Sequence, residues 1–329
     1  MKVLISLLLV LILALLAFAG VYGANLTFLF GVVIPYLALA LFIFGVVYRV
    51  LVWAKVPVPF RIPTTCGQQK TLPWIKSSHL ENPHNTLGVI GRMALEVLLF
   101  RSLFRNTKVE IRGQKIVYGD DKYLWLAGLA FHYSFLIIIL RHFRLFVEPA
   151  PYFVTLIQSL DGFFEIGVPS LYISDLIFIA AVTYLFLRRV VIPQIRYISL
   201  PADYFPLFLI LGIGITGILM RHFYKVDLIG VKQIITGLLS FKPVVPMGIG
   251  SLFYIHLFLV SALIAYFPFS KLMHMAGVFL SPTRNLANNS RMRRHVNPWN
   301  YPVKAHTYEE WEDEFRKLMK EAGMPVEKE

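Results

Sequence analysis

Cysteine is nearly missing from this chain: Cys66 is the one cysteine in 329 residues. A single thiol excludes an internal disulfide framework and every metal site built on a Cys-x-x-Cys pair. Charge is scarce as well. Asp, Glu, Lys and Arg supply 16% of the residues and hydrophobic types 57%, against roughly 25% and 45–50% in ordinary soluble domains. The composition therefore excludes a water-soluble globular domain. Internal repeats are also missing, and with them the broken-helix repeats expected of many transporters. What the chain does have is long apolar runs, so the solvent of its fold is mostly lipid.

About 20 apolar residues are needed to cross a bilayer as a helix. Six stretches qualify, near 3–22, 26–48, 122–146, 170–192, 204–225 and 250–275, which predicts an all-α integral membrane protein. The first stretch, ending at Ala17-Phe18-Ala19, has features of a secretory signal. It is expected to be retained, because the second span needs a partner helix if the N-terminus starts inside. The 27 Phe, 16 Tyr and 5 Trp suit interfacial anchoring and the filling of gaps around a planar ligand, but ordinary packing uses the same residues.

Orientation follows the Lys and Arg residues. Arg141, Arg144, Arg221, Lys225, Lys232 and Lys242 fall on one side, which leaves the other 26 of the 32 basic residues opposite them. Both termini are accordingly expected in the cytoplasm, with the chain in the cytoplasmic membrane. The net charge of +13 then reflects topology and anionic lipid rather than nucleic acid. The sequence divides into two N-terminal spans (1–48), a cytoplasmic region with a Pro-rich start and an amphipathic interfacial helix over Thr86–Phe104 (49–121), a four-helix core (122–280) and a polar tail (281–329). The tail closes with a charged helix from Thr307 to Ala322.

Nine histidines are present. His79, His84, His295 and His306 lie in polar segments and read as solvated residues. His132, His142, His222, His256 and His274 lie within spans or at their ends, where ionisable groups are costly and usually functional. His132 and His142 stand ten residues or about 15 Å apart on the third span; His256 and His274 stand eighteen residues or about 27 Å apart on the sixth, which is five whole turns and so one face. The two spans run in opposite directions. That places His142 level with His256 and His132 level with His274, as two stacked bis-histidine sites. Neutral imidazole is a good iron ligand, and haem propionates need cations such as Arg141, Arg144 and Arg221. With one cysteine, any haem is non-covalent and b-type. The mismatch between about 15 Å and about 27 Å calls for tilt or a kink at Pro268. Interhelical hydrogen bonding is the alternative use of such histidines.

The ten-residue and eighteen-residue spacings, with Phe267-Pro268-Phe269-Ser270-Lys271 between the second pair, resemble the respiratory nitrate reductase gamma subunit family of di-haem, quinol-oxidising cytochromes b. Pro63-Thr64-Thr65-Cys66-Gly67-Gln68-Gln69, Arg294-His295-Val296-Asn297-Pro298-Trp299-Asn300 and Glu310-Trp311-Glu312-Asp313 resemble the DsrM family, the cytochrome b subunits of the membrane Dsr complex. The resemblance implies His132, His142, His256 and His274 as ligands of two haems b, menaquinone as substrate, and sulfur-compound respiration. It also implies a heterodisulfide-reductase-like iron-sulfur subunit on the cytoplasmic face, other Dsr-type membrane subunits, and no enzyme activity by the chain alone.

Gly212-Ile213-Gly214-Ile215-Thr216-Gly217 spells a dinucleotide-binding fingerprint, but it lies inside a span with no preceding strand, so that function is rejected. His222, with Arg221 and Lys225, is the candidate quinone contact; an alternative haem ligand and a propionate partner are its other readings. Asp175 is either a proton-path residue or a satisfied polar group. Cys66 reads as a loop thiol. The tail, with Trp299 and Trp311, reads as a docking segment or a lipid-surface segment. A non-redox transport or assembly subunit, with histidines binding protons or metal, is the alternative function.

Overall fold

The computed structural model describes residues 1–56, 67–163, 169–281, 283–292 and 305–328. Cys66, Arg294, His295 and Trp299, together with the Pro-rich stretch 57–63, lie outside the described residues. Helix α1 (Lys2–Phe18) and helix α2 (Ile34–Ala54) are each extended at the turn between them by a π-helical turn, Ala19–Gly23 and Leu29–Val33. The chain reverses there through Asn25, whose φ of 54° is one that Asn tolerates better than most side chains. Helix α3 (Thr86–Leu99) is capped by Asn85, whose carboxamide oxygen accepts from Gly88 N at 2.9 Å. Phe100 then adopts φ 49°, ψ 46° and breaks it from the single turn α4 (Arg101–Phe104). The interfacial segment expected over Thr86–Phe104 is thus two helices.

One β-hairpin follows in this otherwise helical chain. Strands β1 (Thr107–Arg112) and β2 (Lys115–Asp120) pair antiparallel from Thr107↔Asp120 to Arg112↔Lys115. Gly113, at φ 62°, makes the turn. Asp121 joins the hairpin to the bundle, with Lys108 Nζ at 2.6 Å and Arg188 at 3.3 Å from its carboxylate. Burial alone would raise its pKa, but Lys108 and Arg188 outweigh burial and hold the carboxyl below its usual range.

The bundle continues with α5 (Lys122–His142, prolonged by a 3₁₀ turn to Leu145), α6 (Tyr152–Gly162), α7 (Ile173–Val191), α8 (Pro193–Ile198), α9 (Pro201–Ile218, prolonged by a π turn to Phe223), α10 (Leu228–Leu239), α11 (Ser251–Tyr266), α12 (His274–Leu280) and α13 (Tyr308–Glu321). Among the described residues, five helices are long and apolar enough to cross a membrane: Lys2–Gly23, Leu29–Ala54, Lys122–Leu145, Pro201–Phe223 and Ser251–Phe269. The remaining expected span is α7, 19 residues long, which carries Asp175 at one end and Arg188 and Arg189 at the other.

The expectation of one sixth span with His256 and His274 on a single face is corrected. After α11 the chain passes through a 3₁₀ turn, Phe267–Phe269, and Ser270 turns extended at φ −113°, ψ 176°. His274 therefore begins a separate short helix, and the axial distance taken from an unbroken helix does not apply. The break is locked from two sides. Gly45 of α2 presses against it so closely that an added Cβ would stand 2.7 Å from Pro268 Cβ. Lys271 Nζ meets the buried Asp203 of α9 at 2.6 Å.

Helix α1 packs on α9 and α11, α2 on α11, α7 on both α5 and α9, and α9 on α11. Helices α5 and α11 scarcely touch. Interior clusters such as Val10, Leu209 and Leu259, or Phe178, Val182 and Ile210, fill the helix junctions, while Leu4, Leu8, Leu11 and Leu15 of α1 remain exposed as lipid-facing surface.

The start of the polar tail is not free. Buried Arg92 of α3 donates to the carbonyls of Glu81 at 3.2 Å, Thr283 at 2.9 Å, Leu286 at 3.4 Å and Arg284. Gln69 Nε2 reaches Ser290 Oγ at 3.0 Å, and Asn288 N reaches Pro83 O at 2.7 Å. Residues 283–290 are therefore stitched onto the first long loop. Helix α13 matches its expected bounds, with Thr307 as cap and Gly323 at φ 68° after its end.

Candidate functional site

His132 and His142 stand on α5, His256 on α11 and His274 at the start of α12. The rings of His132 and His274 lie with centroids 6.0 Å apart and planes at 83°. His142 and His256 are near enough for their charges to interact. His132, His142 and His274 are exposed rather than packed over, and His256 is half-buried.

One geometric rule covers all four imidazoles. His132 Nδ1 meets Gly128 O at 2.7 Å, His142 Nδ1 meets Ile138 O at 2.7 Å, and His274 Nδ1 meets Lys271 O at 2.9 Å. A carbonyl only accepts, so each Nδ1 carries the proton and each Nε2 keeps its lone pair. His256 Nδ1 meets Thr216 Oγ1 at 2.8 Å. An imidazole whose Nδ1–H is held in this way is oriented to offer Nε2 to a metal.

His222 behaves differently. Its Nε2 faces Asp175 Oδ2 at 3.1 Å, while the other oxygen of Asp175 takes Arg141 at 2.6 Å. Arg141 also meets Asp161 at 2.8 Å, and Asp161 accepts from Ser174 Oγ at 2.6 Å. The Tyr172 ring lies under both the Arg141 and Arg221 guanidinium groups at 4.4 Å, and its hydroxyl accepts from Arg221. Two carboxylates, two guanidinium groups and one imidazole thus share a buried or half-buried site beside His142, which follows Arg141 in the chain. Lys225, placed by sequence with Arg221 and His222, is exposed. Arg144, expected in the same cationic group, instead donates to Gln158 Oε1 at 3.1 Å.

The other pair has aromatic neighbours. Phe100 and Phe131 each stand edge-on to His132 at 4.9 Å. Trp125 Nε1 and Tyr133 Oη donate to the Leu99 and Leu98 carbonyls at 2.7 and 2.9 Å, tying the end of α3 to α5.

Residues 91–294 match the family model described as nitrate reductase gamma subunit. The chain belongs to this family. It is similar to the "Hdr-like menaquinol oxidoreductase cytochrome b-like subunit" of Archaeoglobus fulgidus, 45% identical over 278 residues that cover 82% of this chain and 83% of the relative. The Archaeoglobus profundus protein of the same description is 40% identical over 275 residues, 81% of each chain. As a member of the nitrate reductase gamma family with five helices long enough to cross a bilayer, the chain is a multi-pass membrane protein. The matched region includes all five membrane histidines and leaves α1 and α2 outside.

Sequence reasoning named His222 and Asp175 separately but missed that they touch, and it missed Asp161, Phe100 and Thr216. Thr216 lay inside a motif rejected for another function. Asp161 had one signal that was available: it is an acidic residue in an apolar stretch near Arg141.

His84, expected to be solvated, is half-buried beside Lys70 at 3.4 Å. Burial, then the charges of Lys70 and His79, push its imidazole below its usual value.

Proposed function

We propose that this chain is the cytochrome b subunit of a menaquinone-linked oxidoreductase, with one b-type haem between His142 and His256 and a second between His132 and His274. The observation that carries the reading is that four imidazoles each hold Nδ1 in a hydrogen bond and leave Nε2 free, and that His132 and His274 bring their rings within 6.0 Å of each other. Among the described residues no three His, Cys, Asp or Glu side chains converge on a metal-sized position. Pairs of imidazoles suit iron whose four remaining ligands come from a macrocycle. The scant contact between α5 and α11 leaves room for a planar group. Buried Arg49 Nε has no hydrogen-bond partner among the described residues. On α2 it lies between Gly45, which faces Pro268, and Trp53, which faces Gly277, so a propionate at the His274 level would satisfy it.

The haems, when bound, supply two one-electron redox centres in series. The residues supply the rest. Oxidation of menaquinol releases two electrons and two protons. His222 can accept a proton from the quinol hydroxyl, and Asp175, already held by Arg141, stabilises the imidazolium that forms. Arg221 beside it offers a cation to a quinone oxygen, with Lys225 at the rim. Following the distribution of Lys and Arg, this end faces outward, α7 is the sixth span, and both termini are cytoplasmic. Haems held by the two histidine pairs would supply the route for electrons inward, toward a heterodisulfide-reductase-like iron-sulfur subunit within a Dsr-type complex serving sulfur-compound respiration.

Mixing the purified protein with a reduced menaquinol analogue tests the reading. The expected result is stepwise growth of a haem b α-band, with the His142–His256 haem reduced first. A well-folded preparation with no such band would favour a transport or assembly subunit.

A further inference from the structure

The glycine-rich stretch of α9 has no nucleotide to bind, yet its geometry is specific. An added Cβ at Gly214 would stand 2.4 Å from Phe178 Cε1, and one at Gly217 would stand 3.3 Å from His256 Cε1. Between them, Thr216 Oγ1 lies 2.8 Å from Gly212 O, 3.0 Å from Ile213 O and 2.8 Å from His256 Nδ1. A threonine in an apolar helix commonly donates to the carbonyl four residues back. That bond commits its single proton, so toward His256 the oxygen can only accept.

We infer that Thr216 is a positioning residue for His256: its hydroxyl, next to a Gly217 that leaves room for the ring, accepts Nδ1–H and helps fix the tautomer and ring orientation of the imidazole. The inference rests on the haem reading above and adds a control point to it. The other three imidazoles donate to main-chain carbonyls of Gly128, Ile138 and Lys271, which no side-chain substitution removes. Of the four, His256 is the one whose Nδ1 meets a side chain of a neighbouring helix, beside the Ile213 carbonyl of that same helix. A hydrogen bond from Nδ1–H raises ligand basicity and so favours the ferric state. Thr216 therefore lowers the midpoint potential of the His142–His256 haem relative to the same site without the hydroxyl.

The test is a redox titration of the full-length protein, with low-spin haem electron paramagnetic resonance, for wild type, Thr216→Val, Thr216→Ser and Gly217→Ala. Thr216→Val should shift one midpoint upward and change one resonance, leaving the second haem unmoved. Thr216→Ser should restore both values. Gly217→Ala should disturb the same resonance by crowding the ring. If valine weakens haem binding, second-shell losses of about 10-fold in affinity are expected, and serine should still retain the haem. An unmoved midpoint and resonance in Thr216→Val with both haems bound, or serine behaving like valine, would overturn the inference. A wild-type protein without haem would instead overturn the proposed function, so the two failures are distinguishable.

Discussion

Beside His142 lies a cluster of ions, whereas His132 is flanked by aromatic rings. At the first level Arg141 is held between Asp161 and Asp175, and the second oxygen of Asp175 faces His222. At the second level Phe100 and Phe131 stand edge-on to His132. On the proposed function, the difference separates two tasks for similar imidazole pairs. A site that takes electrons from a quinol must also accept protons, so it needs titratable groups in fixed positions. A site that only relays electrons needs no proton acceptor, and aromatic neighbours supply none. The supports differ accordingly: the ionic level is tied by α6, α7 and α9, and the aromatic level by the α3–α4 junction and the break after α11.

The largest effect should come from removing ligands. His142→Ala and His256→Ala are each expected to take the haem count from two to one and to erase the same midpoint. His132→Ala and His274→Ala should erase the other. Variants that erase midpoints in any other pairing would break the comparison at its root.

Asp175→Asn should come next. It leaves Arg141 with one carboxylate and His222 without its anion, and removing one partner of a buried ion pair costs about 3–5 kcal/mol. Thermal unfolding in detergent should fall in proportion, while Phe100→Ala, at a half-buried aromatic position, should fall less. Equal losses would mean that the ionic level is not the more strongly coupled one.

His222→Leu tests function at the same level. Loss of a positioned proton acceptor typically costs about 100-fold or more in rate, so quinol-driven haem reduction should slow by that order with both haems still bound. An unaltered rate in stopped flow would move proton acceptance elsewhere.

Partner docking is tested by deleting 305–328, which removes α13 and spares residues 283–290, whose carbonyls hold Arg92. The haem spectra should persist while the iron-sulfur partner is lost in a pull-down, and retained binding would count against docking through α13. The smallest effect should be on pH stability. The Asp121 carboxyl is lowered in the fold, so its contribution is present above the unfolded value of about 3.9 and is lost as pH falls through the lower folded value. Asp121→Asn should flatten the acid limb of the stability curve, and an unchanged limb would remove Asp121 from it.

The spans and histidine spacing were legible because lipid imposes length and apolarity on each helix, and because a histidine in such a helix is conspicuous. Reading α11 and α12 as one helix failed for a local reason. Pro268 marked a kink, but the extended Ser270 is set by contacts from Gly45 and Asp203 on other helices, which spacing does not encode. The hairpin was missed although Val109, Ile111, Ile116 and Tyr118 flank a Gly113 turn, because the surrounding basic residues were read only for topology. The ionic site needed the fold itself. Asp161, Asp175 and His222 are distant in sequence and became one network only through helix packing.

The most direct measurement is haem extraction from the purified, full-length protein with acid acetone, coupled to a count of haem per chain and a redox titration. The account predicts two haems b per chain, both released, titrating as two components. A covalently retained haem, one component per chain, or no haem in a folded preparation would contradict it.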